Sequence, residues 1–138
     1  MREYWLKPGR ETLHGVLSAE LAPALTVDSG DLVNIETLEA DWRISRPDSA
    51  CGGAEFFPRR PGLDDGQALC GPIYVRGLMP GMALQIEIGA IETAGWGWSS
   101  VGIGDADHLR RLGYAGKEYF QVWDIADGLC TSPGGLRV

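Results

Sequence analysis

Apolar and polar residues alternate with a period of two over several short stretches, the spacing of strands that are dry on one face and wet on the other. The first is Ala24-Leu25-Thr26-Val27, and a second runs through Leu32-Val33-Asn34-Ile35-Glu36-Thr37-Leu38. Ser29-Gly30 between them fits a two-residue turn, since glycine accepts the positive φ such turns demand. Ile73-Tyr74-Val75 is a β-branched and aromatic run. Met79-Pro80-Gly81-Met82 then has the type II pattern, with proline second and glycine third. Beyond it, Leu84, Ile86, Ile88 and Ala90 alternate with Gln85, Glu87, Gly89 and Ile91, the clearest half-buried strand in the chain. Gly95-Trp96-Gly97-Trp98 is too rich in glycine for a helix interior and reads as a loop. Asp105 is placed to cap one short helix over 106–112, closed by Gly113. A last strand spans Glu118 to Ile125. Five or six strands with one short helix predict an all-β fold, a mainly antiparallel β-sandwich or jelly-roll-like barrel.

Residues 45–68 break the pattern. Pro47, Gly52-Gly53, Pro58, Pro61-Gly62 and Asp64-Asp65-Gly66 predict a long loop within a single domain of residues 1–138, with Phe56-Phe57 anchoring its middle. Twenty glycines in 138 residues suit tight turns and short strands. Charge narrows the partners. With 19 acidic against 12 basic residues, and only Arg59-Arg60 and Arg110-Arg111 paired, the chain lacks the basic face that nucleic acid or an anionic membrane surface requires. No stretch approaches the ~20 apolar residues of a membrane span, and the N-terminus has no signal-peptide core. Three widely spaced cysteines, Cys51, Cys70 and Cys130, argue against a disulfide framework. These features predict a cytoplasmic protein.

Three blocks resemble the N-terminal half of acetamidase/formamidase proteins. The first runs from His14-Gly15 through Pro23-Ala24-Leu25-Thr26-Val27-Asp28-Ser29-Gly30-Asp31 to Ile35-Glu36-Thr37. The second is Gly71-Pro72-Ile73-Tyr74-Val75-Arg76-Gly77 with Met79-Pro80-Gly81-Met82-Ala83-Leu84, and the third is Gly95-Trp96-Gly97-Trp98. They occur in the family's order and cover nearly the whole chain. The resemblance implies a largely β, oligomeric protein that hydrolyses short linear amides to ammonia and a carboxylate with a divalent metal such as zinc. Gln67-Ala68-Leu69-Cys70 stands where the family has His or Thr before Gly-Pro, and Met82 stands where it has Asp. A His- and Asp-bearing motif belongs to the family's second half. The expectation is therefore a part-site, inactive alone, that works in a homo-oligomer or with a complementary C-terminal half; the alternative is a non-catalytic β-module for binding or oligomerisation.

Amide hydrolysis needs an activated water or nucleophile, oxyanion stabilisation and an acid for the departing amine. Asp41 and Glu36 are the catalytic candidates, His14 and Asp41 the metal-ligand candidates, and Trp96, Trp98 and Gly71 the candidates for contact with a small amide substrate. Each has a plainer reading: a histidine beside glycine hydrogen-bonds a turn, and Asp41 is a solvated carboxylate. Trp96 and Trp98 either wall a pocket or cover the end of a sheet. Asp28 and Asp31 flank a turn and are read as bonding their own backbone. Cys70 is read as a small apolar filler rather than a nucleophile. Two histidines, His14 and His108, are too few for a histidine-rich metal site in one chain. No phosphate loop, dinucleotide fingerprint or paired-cysteine zinc spacing is present.

Overall fold

The computed structural model describes residues 1–50, 52–102 and 106–138. It is mainly β with one short helix, as the alternation predicts. Contacts group the chain into two compact units, residues 1–44 with 56–87 and residues 45–55 with 88–138. No helix among the described residues is long and apolar enough to cross a membrane.

In the first unit β1 (Glu3–Leu6), β2 (Leu13–His14), β3 (Leu25–Val27), β4 (Leu32–Ile35), β5 (Leu69–Cys70) and β6 (Ile73–Val75) form three two-stranded sheets. β1 pairs with β4 and β3 with β6, both in parallel, while β2 pairs antiparallel with β5. β3 and β4 are adjacent in sequence but join different sheets. The turn between them explains this. Asp31 N–H bonds the Asp28 carbonyl at 3.2 Å, and of its central residues only Gly30 has positive φ, at 87°. A two-residue type I′ hairpin needs positive φ at both, so the chain turns here without folding back on itself. Asp28 and Asp31 serve this corner: Asp31 accepts the N–H groups of Arg2 and Asp28, and Asp28 ion-pairs with Arg76.

Leu6, Leu13, Val27 and Trp42 are the buried apolar side chains of this unit. Trp42 has no exposed surface, donates Nε1–H to the Gly66 carbonyl at 2.8 Å, and faces the Phe57 ring 6.5 Å away. Of the Phe56-Phe57 pair, Phe57 anchors the loop: its N–H bonds the Trp42 carbonyl, while Phe56 is 53% exposed. Residues 45–68 carry no strand or helix among the described residues.

The second unit holds one antiparallel sheet in the order β7 (Trp96–Val101), β8 (Tyr119–Ala126), β9 (Leu129–Thr131). The expected Gly95–Trp98 loop is thus largely strand. Gly97 faces Trp123 across the ladder, and a Cβ there would meet the Ile125 Cδ1 at 3.2 Å, so the glycine admits a close side chain rather than a turn. β8 and β9 are joined by Asp127-Gly128, with φ of 52° and 75°, the geometry of a type I′ hairpin. The helix α1 (Ala106–Arg111) ends as expected at Gly113, where Gly113 and Tyr114 N–H groups bond the Arg110 and Leu109 carbonyls. Asp105, the expected cap, lies outside the described residues, as does Cys51. Cys70 and Cys130 are free thiols.

The strand expected over Leu84–Ala90 has no paired strand among the described residues. Residues 83–94 make no backbone–backbone hydrogen bond among the described residues, and Leu84, Ile86 and Ile88 are 53%, 69% and 74% exposed. Alternation specifies which side chains share a face. It does not supply a neighbouring strand.

Candidate functional site

A concavity of about 600 Å³ opens where the first unit's β2 and β5 meet, lined by His14, Leu17, Leu21, Leu69, Cys70 and Pro72 among others. The ladder that builds it pairs Leu13 with Cys70 and His14 with Leu69, and Gly71 N–H bonds the Thr12 carbonyl at 2.8 Å. His14 and Gly71, members of two blocks singled out in the sequence and more than fifty residues apart, thus meet at one wall. Gly71 is buried between two lining residues, and its bond to Pro72 is cis.

His14 is 8% exposed, and its Nδ1 lies 2.8 Å from the Val16 carbonyl. A carbonyl only accepts, so Nδ1 carries the proton in this bond, and in the neutral ring Nε2 is the nitrogen that can accept. The short bond to Val16 is the local turn contact expected of a histidine next to glycine. It also fixes the ring. The following Gly15 has a steric cause: a Cβ there would sit 2.6 Å from the Asp64 carbonyl carbon and 2.9 Å from the Gly66 nitrogen. Gly15 N–H bonds the Leu63 carbonyl, and its own carbonyl accepts from Gly66 N–H. The loop thereby forms the support behind the histidine.

Asp64 holds that support together. Its side chain is fully buried; Oδ2 accepts Arg60 N–H at 2.7 Å and pairs with the Arg10 guanidinium at 2.8 Å. Arg60 Nε approaches at 3.4 Å, while Oδ1 has no partner among the described residues. Burial by itself pushes the carboxyl up, but the Arg60 N–H and the Arg10 charge outweigh it and hold Asp64 below the ordinary value. Arg10 and Arg60 also donate to the Leu13 carbonyl, which ties the ion cluster to the strand bearing His14. Nothing in the sequence pattern singled out Asp64. The available signal was an acid in an otherwise turn-like Pro-Gly-Leu-Asp-Asp-Gly run, with Arg59-Arg60 just ahead of it.

The other candidates, Gly71 aside, are not among the residues that line this concavity. Glu36 is half exposed and ion-pairs with Lys7 at 2.9 Å. Asp41 is half exposed and ion-pairs with the buried Arg43 at 2.5 Å. Neither lines the His14 concavity. Trp96 and Trp98 belong to β7 of the second unit, and Trp98 stacks on Phe120 with centroids 5.1 Å apart, covering one face of that sheet. Cys70 lines the concavity, but burial pushes its thiol up, against an opposing hydrogen bond from Thr12, so the thiolate is disfavoured. That matches a filler.

A zinc site takes three or four N, O or S ligands. Among the described residues no three of His, Cys, Asp and Glu are gathered to hold a metal ion. Of the two metal-ligand candidates, His14 lines the concavity and Asp41 does not.

No family model, no curated protein and no solved structure matches the chain.

Proposed function

We propose that this chain forms the substrate-holding part of a hydrolase for short linear amides, and that it binds such amides without turning them over. The observation that carries the reading is the convergence of the His14-Gly15 and Leu69–Pro72 segments on one concavity, with His14 fixed through Nδ1 and Nε2 left as an acceptor. A primary amide presents an N–H₂ donor that suits this nitrogen, and its short acyl group fits the leucine and proline lining. The resemblance of His14-Gly15 and Gly71-Pro72 to acetamidase/formamidase proteins supports the same substrate class.

Turnover requires more than this wall supplies. Glu36 and Asp41 are engaged with Lys7 and Arg43, and a zinc ion would need ligands from a complementary chain. The same engagement favours a second reading, a non-catalytic β-module that binds a small molecule or another chain.

Titrating the purified chain with acetamide and formamide separates these readings. The expected result is saturable movement of the His14 ring signals in the NMR spectrum, and no ammonia release with or without added zinc. Ammonia release by the chain alone overturns the claim of an incomplete site. Ring signals that stay fixed up to high amide concentration overturn the amide reading and leave the binding module.

A further inference from the structure

The His14 concavity is much larger than the smallest linear amides. Acetamide has four heavy atoms and fills about 120 Å³ at about 30 Å³ each, the share of a liquid water molecule, against a volume of about 600 Å³. We infer that the wall fits a primary amide with a linear, apolar acyl chain of about five to eight carbons, which fills roughly 200–300 Å³ on the same scale. The inference rests on the amide reading above and moves it to the long end of the short linear amides.

Three observations support the longer acyl chain. First, His14 stands opposite Leu69 in the β2–β5 ladder. Side chains directly opposite share a face, roughly 5 Å apart at Cβ. An amide that donates N–H to His14 Nε2 thus has its first acyl carbons within reach of Leu69. Second, the wall stays apolar beyond that contact. Leu17, Ala19, Leu21 and Pro72 line the same concavity and carry no polar side-chain atom. The single methyl group of acetamide leaves most of them facing water, whereas a longer chain covers them. Third, no Asp, Glu, Lys or Arg lines the concavity among the described residues. A charged acyl tail, as in an amino-acid amide, would lose its water here without a counter-charge, so the tail is neutral as well as apolar. All of these lining residues belong to the first compact unit.

A methylene moved fully from water to an apolar wall tightens binding about fourfold. An open concavity covers only part of each methylene, so about threefold is expected here.

Titrating the full chain with acetamide, butanamide, hexanamide and octanamide, followed through the His14 ring signals in the NMR spectrum, tests the inference. Between acetamide and hexanamide the dissociation constant should fall roughly thirty- to eightyfold. Leu69→Ala should weaken hexanamide at least fivefold and acetamide less than twofold. Leu17→Ala, at a position outside every strand, makes the same comparison without touching the ladder. N,N-dimethylhexanamide keeps the acyl chain but has no N–H to donate to Nε2, and should bind at least tenfold more weakly than hexanamide. Acetamide binding as tightly as hexanamide overturns the inference and leaves the amide reading standing. So does a series that tightens but ignores both leucine substitutions, which puts the acyl chain elsewhere. A dimethylated amide as tight as hexanamide, or ring signals that no amide moves, overturns the amide reading itself and the inference with it.

Discussion

Asp64→Asn tests whether the buried carboxylate is what organises the wall behind His14. The substitution preserves volume and an oxygen that can accept Arg60 N–H, so the charge alone is lost. Breaking a fully buried pair from one side costs about 3–5 kcal/mol, because the remaining charge is stranded away from water. Here the stranded groups are not fully buried: the Arg10 and Arg60 side chains are 31% and 41% exposed, whereas Asp64 is 0%. Water can therefore rehydrate the two guanidiniums, and we expect a loss of about 2 kcal/mol, between the buried and the surface limits. Urea unfolding at neutral pH, followed by tryptophan fluorescence, measures it as a lower midpoint at unchanged slope. The sign with pH follows from the direction of the shift. Asp64 is held below the ordinary value of 3.8, so its charge contributes fully above that value and the contribution is lost as pH falls through the folded-state pKa. The gap between wild type and variant should therefore close in acid. Asp65→Asn is the control, since Asp65 is exposed and, among the described residues, its side chain bonds the Gly62 N–H within the same turn. A loss under about 0.5 kcal/mol for Asp64→Asn, the level of an ordinary surface change, or a gap that persists undiminished at low pH, refutes the reasoning.

Two further substitutions probe glycines whose roles differ. Gly15→Ala places a methyl group against backbone atoms of Asp64 and Gly66 that cannot rotate away; we expect destabilisation of about 2–3 kcal/mol and displaced His14 ring signals, checked by urea unfolding and NMR. Gly128→Ala meets nothing within 4 Å but must adopt a φ of 75°, so the cost is about 1 kcal/mol from backbone strain alone, without effect on His14.

Local chemistry made several elements legible. The β-branched run at Ile73–Val75, the glycine closing α1 and the Pro-Gly turn before Met82 depend on neighbours in sequence, and each lies where the residues place it. Asp127-Gly128 carried an equally local hairpin signal, and with it β9 was within reach of sequence reasoning. The Trp96–Val101 strand was not, because glycine marks a loop until the Ile125 side chain that fills its space is known. The site divides in the same way. His14 and Gly71 were legible as members of two separate blocks, but only the β2–β5 ladder brings those blocks to one wall.

By itself, then, the chain's order of residues determined strand-forming stretches, their turns and the faces of their side chains, all set by contacts within a few positions. Tertiary structure alone decided the partners. It sent β3 and β4 to different sheets, buried Asp64 between two arginines, set Glu36 and Asp41 in surface ion pairs, and gave residues 83–94 no backbone hydrogen bond among the described residues. The reason is physical: a period-two pattern and a carboxylate each state what they require, a dry face or a counter-charge, and a distant part of the chain determines whether it is met.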